Sequence, residues 1–144
     1  MAVDKGQKEV ATLLIEKLHS ATGINPQIVE KEPASNFIVF EEDKSLENEA
    51  YRLKMSNNSV RLSANGYSGF LYGFETIRQL LPPQLEGNEK QQDINWSIPC
   101  LDINDHPRYS WRGLMLDVAR HFFKKEYILR TIDRMALFKL NTLH

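Results

Sequence analysis

The stretch that most limits what this chain can fold into is SWRGLMLDVARH, residues 110–121. Within it Trp111, Leu114, Met115, Leu116 and Val118 form a nearly continuous apolar run, broken early by Arg112 and late by Asp117. A half-exposed strand would alternate apolar and polar residues. A run like this one predicts a strand covered on both faces, as in parallel sheets. Beyond the turn at Ala119 to Phe123 the period changes. Ile128, Ile132, Met135 and Ala136 recur at i, i+4, i+7 and i+8, which predicts an amphipathic helix over residues 124–138. Asn141-Thr142-Leu143-His144 then begins a further strand. A buried strand, a short connection, a helix and a second strand make the opening of a βα unit that these residues alone do not finish.

Composition narrows the function classes. The 144 residues are 42% apolar and 26% charged with a net charge of −1, which describes an ordinary globular chain. No basic field points to nucleic acid, and no polybasic stripe points to a membrane surface. Apolar runs such as residues 37–40 are far too short to span a bilayer. Met1 to Gly6 leads straight into a helix pattern without the apolar core of a signal peptide. Cys100 is the only cysteine, so no internal disulfide forms. The four histidines, at 19, 106, 121 and 144, lack metal-ligand spacing, and neither a metal nor another cofactor is expected.

Before the constraining stretch the chain reads as α+β. Val10, Leu13, Leu14, Ile15 and Leu18 predict a first helix over residues 7–19, stopped at Ala21-Thr22-Gly23. Gln27-Ile28-Val29 and the β-rich Asn36 to Phe40 predict strands. The acidic residues 41–49 predict a solvated loop. Tyr51 to Met55 and Val60 to Leu62 alternate apolar and basic residues around Asn57-Asn58-Ser59, the pattern of a hairpin. Residues 66–81 predict a second helix ended by Pro82-Pro83, burying Phe70, Phe74, Ile77 and Leu81. Residues 84–93 predict a loop, and residues 96–103 extended structure. The expectation is an antiparallel sheet of about four strands with two helices on one face, spanning residues 1–104. Residues 105–144 would follow as a linker, marked by Pro107, and the start of a second domain.

Several of these segments together resemble a known family. Arg112-Gly113-Leu114-Met115-Leu116-Asp117-Val118-Ala119-Arg120-His121-Phe122-Phe123 is similar to the first barrel strand of the β-N-acetylhexosaminidases of glycoside hydrolase family 20, the chitobiase-like enzymes. Thr131 to Asn141 resembles that family's first barrel helix and its exit into strand two. Gly69 to Pro82 is similar to the second helix of the small domain before the barrel. Tyr51-Arg52-Leu53, Ile98-Pro99 and Asp105 to Tyr109 fit the same pattern.

The resemblance implies a (β/α)₈ barrel enzyme that removes terminal non-reducing N-acetylglucosamine or N-acetylgalactosamine from amino-sugar glycans with retention. The substrate's acetamido oxygen would stand in for a protein nucleophile. An Asp would orient that acetamide and a neighbouring Glu would protonate the leaving oxygen. In the family these two lie on a later strand, so the resemblance puts no catalytic residue in this chain and implies that it is inert alone. It also implies a periplasmic, secreted or lysosomal setting for full-length members. Arg112 is the position that the resemblance likens to the arginine gripping the sugar's 3- and 4-hydroxyls, a task suited to a planar guanidinium fork.

Judged on its own residues, Arg112 reads instead as a salt bridge at the bottom of the barrel, because barrel sites lie at the strands' C-terminal ends and Arg112 is near this strand's start. Asp117, Arg120 and His121 sit at the C-terminal end. Asp117 has the opposite parity to Arg112 and is expected to pair with Arg120, fixing the loop, with His121 packing behind it. His144 would begin the inner lining of strand two, and His106 reads as a linker residue. Glu41-Glu42-Asp43 reads as a solvated run rather than an acid–base pair. Tyr67, Phe70, Tyr72 and Phe74 at helical spacing read as core rather than a sugar platform. A barrel needs about 200 residues or more to close. Residues 111–138 would therefore present open strand edges and drive self-association. The alternative is a non-catalytic α+β binding or oligomerisation module.

Overall fold

The computed structural model describes residues 5–29, 31–87 and 89–144, so the reading of Met1 to Asp4 lies outside the described residues, as does that of Asn88 within the 84–93 loop. The chain forms two compact units, residues 1–106 and 107–144.

In the first unit, helix α1 (Lys5–Thr22) is followed by β1 (Phe37–Glu42), β2 (Tyr51–Met55), β3 (Ser59–Ala64), helix α2 (Tyr67–Leu80), a 3₁₀ turn (Pro83–Glu86) and β4 (Asp102–Asp105). The strands lie in the order β1-β3-β2-β4. The alternation in β2 is realised residue by residue: Tyr51, Leu53 and Met55 are buried, and Arg52 and Lys54 face water. Leu62 and Ala64 of β3 join them beneath α2, whose Phe70, Phe74 and Ile77 complete the layer. Val10, Leu14 and Ala21 of α1 belong to the same core. Each fully buried side chain of this kind stabilises by about 1.5–3 kcal/mol.

The sheet is mixed, not antiparallel. β2 is antiparallel to both β3 and β4, but β1 runs parallel to β3, from Phe37 beside Ser59 to Glu42 beside Ala64. The chain does reverse direction from β1 to β2 and again from β2 to β3. Residues 43–50 nevertheless carry it past β3's place, so the tight β2–β3 hairpin slots its second strand between β1 and β2. Nothing in the alternation of a single strand encodes that order. β1 also runs on through Glu41 and Glu42, which had read as loop. Gln27-Ile28-Val29 is not a strand: with no neighbour to pair with, β-propensity has no ladder to act through, and Ile28 and Val29 stay exposed.

The hydroxyl of Tyr51 donates to Asp105 Oδ2 at 2.7 Å and lies 2.6 Å from Thr76 Oγ1, tying the end of β4 to β2 and α2. Tyr51→Phe would remove both of these part-buried bonds, with an expected loss of about 1–3 kcal/mol in urea unfolding.

The second unit comprises β5 (Gly113–Leu114), helix α3 (Lys125–Leu137) and β6 (Thr142–Leu143). β5 and β6 are parallel, Gly113 beside Thr142 and Leu114 beside Leu143. The expected strand 111–118 is thus much shortened. Its ladder extends only from the Arg112 carbonyl, which accepts from Asn141 N–H at 2.9 Å, to Leu116 N–H, which donates to the His144 carbonyl at 2.7 Å. Nor are both faces covered, since Trp111 is 67% and Met115 69% exposed. On α3, Met135 is buried and Ile128 half-buried, but Ile132 is exposed, so the covered face is rotated from the one that periodicity indicated.

Candidate functional site

The residues singled out in the second unit separate by strand end. Arg112 precedes β5, and its side chain is engaged by the backbone. Nε donates to the Lys139 carbonyl at 2.8 Å and Nη1 to the Tyr109 carbonyl at 2.7 Å. Lys139 itself has φ 56 and closes α3: its N–H bonds to the Ala136 carbonyl, and Leu140 N–H to that of Met135. These are the two bonds of a Schellman stop. Asn141 completes the junction, accepting from Arg112 N–H at 3.0 Å and donating to the Ser110 carbonyl at 2.8 Å. Arg112, Lys139 and Asn141 therefore knit the helix exit to the start of both strands. Asn141 escaped the sequence reading; its one signal is a short amide at a helix-to-strand junction, where its side chain can stand in for a ladder partner.

Past the other end of β5 the chain turns on Asp117. Oδ1 accepts the N–H groups of Ala119 and Arg120, both at 3.0 Å, and Oδ2 lies 3.4 Å from Arg120 Nε. A carboxylate that satisfies two successive backbone donors fixes a loop because both bonds are charge-assisted. The Arg120 side chain projects beyond it, 85% exposed. His121 is exposed on the same loop, and Phe123 stacks on Tyr127 with centroids 4.7 Å apart. The structure thus brings Asp117 and Arg120 together with His121 beside them, and leaves Arg112 apart from them, at the opposite end of the strand. His144 serves the ladder through its backbone, and His106 is exposed at the end of the first unit.

The remaining candidates fall elsewhere. Glu41 pairs with Arg61, which also holds Glu32. Asp43 accepts from the Ser45 hydroxyl and N–H, which hold its carboxyl below the usual aspartate range. The acidic run is thus divided among separate partners and makes no acid–base pair. Phe70, Tyr72 and Phe74 are core residues; Tyr67 is exposed beside a shallow groove with Leu13 and Ile28. Among the described residues no cluster of three or more His, Cys, Asp or Glu could hold a metal, and no helix is long and apolar enough to cross a membrane.

This arrangement has close counterparts. Residues 1–106 match the family described as glycosyl hydrolase family 20, domain 2, and residues 109–144 match the glycosyl hydrolase family 20 catalytic domain. A β-hexosaminidase of Porphyromonas gingivalis is 36% identical over 95% of this chain and 18% of its own length. β-Hexosaminidase subunit A1 of Dictyostelium discoideum is 38% identical over 80% of the chain and 22% of its own. The structure of the family 20 β-N-acetylhexosaminidase from Streptomyces coelicolor A3(2) superposes with a TM-score of 0.90 at 34% identity, covering 98% of this chain and 28% of that one. The chain therefore spans less than a third of the length of these relatives. With one unit matching the family's domain 2 and the other its catalytic domain, and with the fold shared across nearly every residue, this chain belongs to glycosyl hydrolase family 20.

Proposed function

We propose that this chain is the N-terminal portion of a β-N-acetylhexosaminidase that releases terminal non-reducing N-acetylglucosamine or N-acetylgalactosamine by a retaining, substrate-assisted reaction. Residues 1–104 would be the non-catalytic α+β domain, and residues 105–144 the linker and first βα element of the catalytic barrel. The observation that carries the reading is the parallel β5–α3–β6 unit in the segment that matches the catalytic domain. In such a reaction the acetamido oxygen attacks the anomeric carbon while a carboxylic acid protonates the departing oxygen. The carboxylates that orient and protonate would come from polypeptide outside residues 1–144, so the chain alone is inert.

The geometry bears on which arginine meets the sugar. The guanidinium of Arg112 donates to two backbone carbonyls at the strand's start. That of Arg120 stands in solvent past the C-terminal end, where barrel sites form, on a loop already fixed by Asp117. The sugar-hydroxyl contact that the family resemblance suggested for Arg112 is better supplied by Arg120, with Arg112 holding the junction. In a longer chain carrying the rest of the barrel, Arg120→Ala would raise KM about ten- to a hundredfold, the effect of losing charged hydrogen bonds of about 1.5–3 kcal/mol. Arg112→Ala would instead lower the unfolding midpoint. An unchanged KM in Arg120→Ala would rule out this assignment.

The 144-residue chain is expected to release no nitrophenol from a chromogenic N-acetyl-β-glucosaminide; steady hydrolysis would overturn its reading as an inert portion. The net charge of −1 supports neither a nucleic-acid nor an anionic-membrane partner. A second reading, an oligomerisation module working through residues 111–138, is favoured by the exposed Trp111, Met115, Leu129 and Ile132.

A further inference from the structure

One dipeptide of the first unit carries a reaction that needs nothing but water. Asn65-Gly66 is the only Asn-Gly step in the chain. It joins β3 to α2, and Gly66 is the N-cap residue of that helix, extended at φ 163 and ψ −174. The side chain of the next residue ordinarily shields an asparagine carboxamide from the backbone nitrogen that follows it. Glycine has none and lets the two approach. The backbone of Gly66 is one that any residue adopts, and a Cβ there would make only an ordinary contact, 3.7 Å from Asn48 Oδ1. The carboxamide of Asn65 already has a task. Its Nδ2 donates to the Leu46 carbonyl at 2.8 Å in a part-buried setting. The segment it reaches is also fastened at its start, where Asp43 N–H donates to the Ala64 carbonyl at 2.9 Å. Near its end the Tyr72 hydroxyl donates to Glu49 Oε1 at 2.9 Å. Asn65 holds the middle.

We propose that Asn65-Gly66 is a self-modification site, whose conversion to aspartate or isoaspartate unfastens residues 44–49 from the start of α2. The Gly66 nitrogen attacks Asn65 Cγ and gives up its proton. The new C–N bond forms as the Cγ–Nδ2 bond breaks, and ammonia leaves with that proton. Water then opens the succinimide ring. Cleavage of the new bond gives aspartate, and cleavage of the original peptide bond gives isoaspartate. Neither step oxidises or reduces anything. In aspartate a carboxylate oxygen takes the place of the amide donor and faces the Leu46 carbonyl, acceptor against acceptor. Isoaspartate also adds a methylene to the main chain between β3 and α2. The bond to Leu46 holds the carboxamide, so the folded chain reacts more slowly than the unfolded one.

The test is to incubate the 144-residue chain in mildly alkaline buffer, with and without urea, and to follow residue 65 by peptide mass spectrometry. The expected result is conversion at Asn65 ahead of every other asparagine, several-fold slower without urea. Gly66→Ala should slow it several-fold in both. Brief trypsin treatment then reads the unfastening, because Lys44 is exposed within the held segment. Cleavage after Lys44 should be several-fold faster in the converted chain, and in Asn65→Asp made directly, than in fresh chain or in Gly66→Ala incubated for the same time. An Asn65 that stays intact without urea, over a time that converts it in urea, would overturn the site. Conversion that leaves cleavage after Lys44 unchanged would overturn the unfastening.

Discussion

Gly69→Ala is expected to destabilise the first unit by about 2–3 kcal/mol, even though alanine is the better helix former by about 1 kcal/mol. The reason is the distance at which α2 rides on the sheet. A Cβ at residue 69 would lie 2.5 Å from the Ala50 carbonyl oxygen and 2.9 Å from Ala64 Cβ. A backbone carbonyl at the head of β2 cannot swing aside, so the helix must lift and uncover Phe70 and Phe74. Gly73→Ala makes a still closer contact, but with the Leu62 side chain, which can change rotamer. Its expected cost is smaller, about 1–2 kcal/mol. Pairing it with Leu62→Ala should cost less than the sum of the two single changes, because the clash disappears with the side chain that makes it. Urea unfolding followed by far-ultraviolet circular dichroism measures all four chains. Gly69→Ala at or above the parent's midpoint would show that α2 is not held this close.

Arg78→Ala is expected to cost about 3–5 kcal/mol, as in other proteins where one partner of a buried ion pair is removed. Glu75 is 2% exposed, and Arg78 Nη1 lies 3.1 and 2.9 Å from its two oxygens. The same guanidinium turns its other edge to Glu86, Nε to Oε1 at 3.2 Å and Nη2 to Oε2 at 2.7 Å, and Lys17 of α1 reaches Glu86 at 3.0 Å. Arg78 is thus the hub that joins α2 to the 3₁₀ turn, with α1 attached through Lys17. Removing it leaves a carboxylate inside the unit with only Lys17 still acting on it, whereas Glu75→Gln removes the charge along with the bond and should cost less.

The two glutamates give this cluster opposite pH signatures. Burial pushes Glu75 above the usual glutamate range, only partly opposed by Arg78. Its charged form therefore weighs against the fold at neutral pH, and that penalty fades as pH falls through the raised value towards the unfolded one. Burial also pushes Glu86 upward, but the bonds from Arg78 and Lys17 together outweigh it and hold Glu86 below the usual range. Its stabilising contribution is full above the unfolded value and is lost as pH falls through the lowered one. In Arg78→Ala, Glu75 loses the main cation that opposes its burial and takes up a proton more readily. The gap between variant and parent should therefore be widest at neutral pH and narrow on acidification. A gap that widened towards acid would place the cost somewhere other than Glu75.

Local patterns carried much of the architecture. The three helices and the β2–β3 hairpin were legible because each is specified by neighbours within a few residues: the 3.6 period, Gly23 and Pro82 as stops, and Asn57-Asn58 at the turn. The α+β class followed from those. The strand predicted at residues 27–29 failed because propensity does not supply a partner, and the one predicted at 111–118 is paired only from Arg112 to Leu116. At the candidate site, the pairing of Asp117 with Arg120 could be anticipated from their i, i+3 spacing. The fate of Arg112 could not, since its acceptors include Lys139, 27 residues away.

From its sequence alone, then, this chain determines which segments coil, which extend and which family they belong to, because those properties reside in short-range periodicity and in the identities of residues along the strand and helix patterns. Only the tertiary structure decided that β1 lies parallel beside β3, that α3 keeps Leu129 and Ile132 in water, and which arginine is engaged and which extends into solvent. Each of those outcomes depends on where distant segments meet, and a hydrogen bond or a covered face exists only once its partner has arrived.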